Sequence, residues 1–237
     1  NISPSPTLAI DTEAKQLLAR GINAISFGAG EPDFDTPDYI KEAAVEAIWA
    51  GKTKYTPVAG ILTLREAICR KLKADQNLEY EPDQIIVSAG AKHSLYNTMQ
   101  VLVQDGDEVI LPAPYWVSYV EQIKLAGATP RIINTREENG FKLTPAELER
   151  AINPRTRLLI LNSPCNPTGV VYTEADLESV KEVILRYDFS VISDEIYESF
   201  IYDGLKHISI ASLAPELKER TILINGVSKA YSMTGWR

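Results

Sequence analysis

Two cysteines, two histidines and two methionines are all that 237 residues hold of those three types. Cys69 and Cys165 are too few for a disulfide framework, and a reduced, cytoplasmic setting is expected. Neither histidine stands in a partner pattern with Cys165, which reads as an inert thiol, and no metal site is expected. No run of 18 apolar residues occurs, so no membrane span is expected. The first residues given do not read as a signal peptide, so none is expected among them. Basic residues are in deficit, 24 against 32 acidic ones, for a net charge of -8. That balance argues against nucleic acid as a partner, since a phosphate backbone selects a basic face. Small anions remain open, because they need only a few local cations. There is no internal repeat, no low-complexity segment and no flexible linker. The chain opens at Asn1 without a methionine and stops at Arg237 in what reads as a loop, so both ends are expected to be limits of a longer polypeptide.

What is present is ordinary globular material, 45% hydrophobic and 24% charged, enough for one large domain or two small ones. From Gln84 onward short apolar runs alternate with amphipathic ones. "QIIVSAG", "DEVILPA", "TPRIINT", "RLLILNS", "FSVISDE" and "TILING" read as buried strands. Between them "AKHSLYNTMQVLVQ", "WVSYVEQIKLAG", "TPAELERAI" and "TEADLESVKEVILRY" read as helices. Thr144 with Pro145 and Glu147, and Thr173 with Asp176, are helix-start signatures. This alternation predicts an α/β fold, a mostly parallel sheet with helices on both faces. The first eighty residues read instead as three helices, with Gly21 and Gly51 where C-terminal caps belong, separated by "SFGAGEPDFD" and "KTKYTPVAG".

In such sheets ligands collect beyond the carboxyl ends of the strands, where loops and helix N-termini converge. After the run at 85–87 comes "SAGAKHS", which reads either as a tight connection or as a turn letting the N–H groups of Ala91 and Lys92 approach an anion. After 158–161 comes "LNSPCNPTG", whose two prolines make a rigid loop around Asn166. Asp194 ends a buried run, where an unpaired carboxylate is expensive, so something cationic is expected to face it; Tyr197 can present its hydroxyl nearby. Lys229 stands just past the last apolar run. It reads as a solvated loop cation, or as an amine whose pKa a partly dry site lowers for attack on a carbonyl. Arg237 would then clamp a phosphate. An aldehyde carrying a phosphate and a protonatable ring nitrogen would satisfy amine, anion site and Asp194 together, which is pyridoxal 5'-phosphate.

With "PYWVSY", the motifs "SAGAKHS", "NSPCNPTG", "SDEIY" and "SKAYSMTGWR" occur in an order and spacing that resembles the fold-type I pyridoxal-phosphate aminotransferases, in the aspartate aminotransferase class, from about Pro4 to Arg237. The resemblance implies a three-layer αβα large domain. Residues 1–36 would be an N-terminal arm and substrate-side loop, and 37–237 the cofactor-binding large domain. A C-terminal small domain, carrying the arginine for the substrate α-carboxylate, would lie beyond Arg237. Lys229 would form the Schiff base and shuttle the proton between Cα and the cofactor's C4′. Asp194 would keep the ring nitrogen protonated. Tyr197 and Asn166 would hold the phenolic oxygen, and Trp116 would stack on the ring. Ala91, Lys92, Ser228 and Arg237 would hold the phosphate. Tyr55 would reach the phosphate of a neighbouring subunit, which implies a homodimer. Gly30 would bring its backbone to the substrate carboxylate, and Thr7 and Lys92 match positions that read a second, distal carboxylate.

One departure is Gly226, three residues before the lysine, where many relatives carry a phosphate-binding serine. The implied activity is transfer of an amino group from aspartate or another dicarboxylic amino acid to a 2-oxo acid, in a pyridoxal/pyridoxamine ping-pong cycle. Two rivals share the lysine and aspartate: a carbon–sulfur or related lyase on the same scaffold, and a non-catalytic cofactor-binding sensor. The "NPTG" and "GWR" context favours transfer. The sensor is disfavoured because no helix-turn-helix or basic patch is present.

Overall fold

The computed structural model describes residues 6–26, 28 and 30–236. Strands β1 (Glu108–Ala113), β2 (Thr129–Asn134), β3 (Thr156–Asn162), β4 (Ser190–Asp194) and β5 (Thr221–Ile224) form one sheet in the order β2-β1-β3-β4-β5, with every neighbouring pair parallel. Helices α1 (Pro6–Ala19), α2 (Asp38–Trp49), α3 (Leu62–Gln76) and α4 (Ala91–Leu102) precede the sheet. Then α5 (Ser118–Leu125), α6 (Pro145–Ala151), α7 (Glu174–Arg186) and α8 (Pro215–Arg220) connect the strands, and α9 (Val227–Ala230) follows β5.

Strand alternation divides the core into two layers. Val109, Leu111, Leu158, Ile160, Ile192 and Ile224 pack against Leu95 and Met99 of α4 and Tyr119 and Ile123 of α5. Their neighbours Ile110, Leu159, Leu161 and Val191 face the other way, onto Leu148 of α6, Val180 and Ile184 of α7, and Leu217 of α8. Because both faces of β1 and β3 are covered, these strands read as continuous apolar runs, whereas the edge strand β2 is mostly exposed. The helix starts are built as their residues dictate: Thr144 Oγ1 accepts from Glu147 N at 3.3 Å while Glu147 Oε2 accepts from Thr144 N at 3.0 Å. Thr173 and Asp176 repeat that reciprocal pair at 3.3 and 2.8 Å.

Two expectations need correction. The run "QIIVSAG" is not a strand among the described residues: Gln84 ends a 3-10 turn, 85–88 form no regular element and do not join the sheet, and a bend at 89–90 leads into α4. Val87 N donates to Ala59 O at 3.0 Å, Ile85 packs beside Leu72 and Leu78, and Ile86 is 71% exposed. An apolar run binds a ladder only if a neighbouring strand offers its edge, and here the partner is a loop. The segment after β5 is likewise not all turn, since Val227–Ala230 closes a short helix carrying Lys229.

The sheet changes direction once. From β1 the chain proceeds to β2 on one side, whereas β3, β4 and β5 build outward on the other, so the switch lies between β1 and β3.

Leu159→Ala, emptying a fully buried site between β3 and α7, is expected to cost about 2–5 kcal/mol in urea unfolding. Thr173→Ala, removing one cap, should cost about 1 kcal/mol. Equal losses at both positions would contradict this layering.

Candidate active site

Beyond the carboxyl ends of the strands, the connections deliver Trp116 after β1, Asn166 after β3, Tyr197 after β4 and Lys229 after β5. Asp194, the last residue of β4, shares the parity of Ile192 and so faces the α4/α5 layer. Its carboxylate is buried, with Oδ2 accepting from the Tyr119 hydroxyl at 2.6 Å and Oδ1 from Ile196 N at 3.2 Å. No lysine, arginine or histidine among the described residues forms an ion pair with it. Burial raises its pKa from the ordinary 3.8 to about 6, against the two hydrogen bonds, which lower it; the charge of Glu195 adds to the rise. The cation expected from the sequence to face Asp194 is therefore not a described protein side chain.

Asn162, which ends β3, ties the loops together. Its Oδ1 accepts from Asn166 N at 2.8 Å and its Nδ2 donates to Asp194 O at 2.9 Å. The Asn166 amide then reaches the Tyr197 hydroxyl at 3.5 Å. Burial pushes the Tyr197 phenol up, the Asn166 amide pulls it down, and the Asp194 charge raises it again. Lys229 Nζ stands 5.9 Å from the Tyr197 ring centroid and donates to Gly30 O, so the N-terminal loop and the lysine turn meet at one point. Thr36 fastens the same two segments, its Oγ1 donating to Ser232 O at 2.6 Å and accepting from Trp236 Nε1 at 3.0 Å.

Trp116 meets Tyr119 edge-on, with centroids 5.4 Å apart, and Lys92 Nζ lies 4.8 Å over the Trp116 ring. Ala91 and Lys92 open α4 behind Gly90, whose φ of 85° suits a residue without a side chain. Their N–H groups belong to the helix's first turn, where no intrahelical acceptor exists. Ser228 lies half-buried on α9, one residue before Lys229. A Cβ at Gly226 would stand 3.2 Å from Ile196 Cδ1, so a serine there would need this isoleucine to shift by a few tenths of an ångström. Thr7 is half-buried in the first turn of α1, and no hydrogen bond among the described residues joins it to Lys92. Tyr55 is fully exposed and joins none of these contacts. Arg237 lies outside the described residues.

Two site residues escaped the sequence reading. Tyr119 lies in "PYWVSY", three positions past Trp116 and hence about one helical turn on, a spacing that could have pointed to it. Asn162 looked like the tail of a strand, and nothing in its neighbours distinguishes a bridging amide.

Parallel strands bring a buried aspartate, a phenol and a lysine to their carboxyl ends, the edge at which open α/β sheets collect ligands. The chain belongs to the aminotransferase class I and II family, whose model matches residues 22–237. It is 54% identical, over 237 residues, to an aspartate aminotransferase of Geobacillus stearothermophilus, matching all of this chain and 60% of that protein. Identity to a probable aspartate/prephenate aminotransferase of Aquifex aeolicus is 48% over 237 residues, again 100% of this chain and 60% of the other. Among solved structures, the aspartate aminotransferase from Thermus thermophilus with maleate superposes with a TM-score of 0.95 at 45% identity, covering 100% of this chain and 61% of that one. The chain thus spans about 60% of the length of the curated relatives it matches.

The raised pKa of Asp194 has a consequence for stability without cofactor. A carboxyl whose folded pKa lies above its unfolded value favours folding at low pH, and that contribution is lost as pH rises through the folded pKa. Between pH 4 and pH 6 the cost of burying ionised Asp194 should therefore develop, reaching roughly 2–3 kcal/mol above the value of about 6. Asp194→Asn removes the titration, so it should be the more stable form at pH 8 and lose that advantage at pH 4. Urea melts across the range would show parallel profiles if Asp194 were not strained.

Proposed function

We propose that this chain is the cofactor-holding part of an aminotransferase that moves an amino group from aspartate, or another dicarboxylic amino acid, to a 2-oxo acid, using pyridoxal 5'-phosphate. The observation that carries the reading is the buried Asp194 carboxylate, whose hydrogen-bond partners are all neutral. A protonated ring nitrogen is the ion-pair partner this carboxylate lacks, and it would bring the group back to its charged form. The donor set around it fits the remainder of the molecule. Lys229 offers the amine for the aldehyde, and Tyr197 and Asn166 offer a phenol and an amide for the phenolic oxygen. Trp116 offers an aromatic face. Ala91 and Lys92 N–H, with Ser228 and Arg237, are the proposed phosphate holders.

When bound, the cofactor supplies an electron-accepting ring that stabilises the charge left on the substrate Cα. The chain's own residues do the rest. Lys229, once its amine is free, would take the proton from the substrate Cα and deliver it to the cofactor's C4′. Asp194 holds its charge toward the ring nitrogen, and Tyr119 keeps that carboxylate oriented. Gly30 brings backbone to the substrate carboxylate. Thr7 and the Lys92 ammonium are the proposed readers of a distal carboxylate; maleate in the Thermus structure is itself a dicarboxylate.

A homodimer is the proposed assembly, with Tyr55 reaching the second subunit's phosphate site. Its support is the apolar surface that Trp49, Tyr55 and Val58 leave exposed. The proposed setting is cytoplasmic; among the described residues no helix is long and apolar enough to cross a membrane.

The first test is absorbance. Pyridoxal phosphate added to the protein should give a bound chromophore that aspartate converts and 2-oxoglutarate restores, and Lys229→Ala should abolish turnover while keeping the fold. Turnover retained by that variant would refute the assignment. Lys92→Ser should raise KM for aspartate about tenfold or more, as the loss of a charged contact does, and leave an aromatic donor nearly unchanged. Equal effects on both donors would remove Lys92 from substrate selection.

A further inference from the structure

Immediately after Asp194, on the opposite parity of the strand, stands a second carboxylate, to which the functional reading gives no role. Glu195 is 1% exposed. Ser193 Oγ and Ser209 Oγ donate to its Oε1 at 2.8 and 2.6 Å, while Gln76 Nε2 and His207 Nε2 meet its Oε2 at 3.1 and 2.7 Å. Four partners fill the acceptor capacity of a carboxylate. The backbone is held as well, with Glu195 N donating to Ile224 O at 2.8 Å and carrying the β4–β5 ladder one residue further.

The surroundings are polar to a second depth. Glu198 accepts from Gln76 Nε2 at 2.6 Å and pairs with Lys71, which also faces Asp75 at 3.5 Å. Tyr80 lies under the same charge, its phenol pushed up by burial and then by Glu195, and Lys218 Nζ stands 4.8 Å from its ring centroid. On the Asp194 side the facing groups are Tyr119, Tyr197 and Ile196 N–H. Ligand-type atoms of Glu195, Glu198 and His207 lie within 4.8 Å of one another, yet Lys71 and Gln76 already occupy them, so the cluster is a mooring and not a cation site.

We propose that Glu195 is a positioning residue for Asp194 and a fixed negative charge behind it, so that two carboxylates on opposite faces of one strand jointly hold a ring nitrogen in its protonated form. The inference rests on the functional reading above. Three independent segments, α3, the 207–209 turn and β4 itself, clamp Glu195, and the strand end bearing Asp194 cannot rotate without breaking them. The charge of Glu195 raises the proton affinity of Asp194, and the same field favours a proton on any nitrogen that Asp194 contacts.

The test follows the ring-nitrogen chemical shift of bound, 15N-labelled pyridoxal phosphate against pH in the full protein. Glu195→Gln keeps the shape and removes the charge. It should lower the midpoint of the ring-nitrogen titration by about half a unit to one unit, as expected for one charge lost across a protein interior. Glu195→Asp restores the charge and should restore the midpoint. Glu198→Gln cuts the mooring but leaves Glu195 charged, and should lower thermal stability without moving the midpoint. If all three variants lose stability and none moves the midpoint, Glu195 is structural and the proposal fails. Should Glu195→Gln not fold, His207→Lys sets a fixed cation against the same oxygen and must lower the midpoint too; an unmoved midpoint there also overturns the proposal. An unmutated protein that binds no pyridoxal phosphate overturns the functional reading and this inference with it, a result distinct from binding with an immobile midpoint.

Discussion

Asp194 is the group around which this molecule is arranged. A carboxylate at the end of a central parallel strand is out of water on all sides, and its charge must be met by something. Within the chain it is met by a phenol and one backbone N–H, which orient it without neutralising it. The rest of the site is then a set of supports for that oxygen pair. Tyr119 reaches it because α5 packs its ring into the core layer beneath, and Asn162 holds its carbonyl while fixing the start of the Asn166 loop. Tyr197, three residues on, is drawn into the same field.

The supports depend on sheet topology more than on any single loop. Parallel strands put all their carboxyl ends on one edge, and the direction switch between β1 and β3 keeps helices from covering that edge. Residues far apart in sequence are collected there for that reason. Gly30 and Lys229 touch because the N-terminal loop crosses this edge, and Thr36 pins it to the turn after α9 through Ser232 and Trp236. The packing layers beneath are what make the edge rigid. Side chains of alternating parity fill both faces, so a shift of β4 by one residue would exchange Asp194 for Glu195 and empty both layers.

Much of this was legible in the sequence for local reasons. Runs such as "RLLILNS" and "FSVISDE" are apolar on both parities, which only a strand covered on both faces requires, and Thr144 and Thr173 announce their helices by chemistry confined to four residues. The family was legible through motifs in order. The run at 85–87 misled because apolar composition fits a strand without naming its partner; only the tertiary neighbour decides whether such a run joins a ladder, and here Ile86 is left exposed while Val87 N bonds a loop carbonyl. Tyr119 and Asn162 were missed for a related reason. Each acts through a contact with Asp194, 75 and 32 residues away; the helical spacing from Trp116 points to Tyr119, whereas nothing in the local pattern marks Asn162.

The dipeptide Asp194–Glu195 shows how one fold gives the same functional group two fates. Strand alternation sends the two carboxylates to opposite faces, and what each meets there sets its chemistry. Glu195 finds two hydroxyls, an amide and an imidazole, which use all of its acceptor capacity, so it can bind nothing further. Asp194 finds two donors and keeps capacity in reserve. A carboxylate left partly unsatisfied in a dry site destabilises the fold unless a cation arrives, and that deficit is what gives a cationic ligand its affinity. Moving one donor from Glu195 to Asp194 would make the chain more stable and the site weaker. The uneven division of donors between two adjacent acids therefore leaves Asp194 with room for a further donor, and satisfying it fully would remove that room.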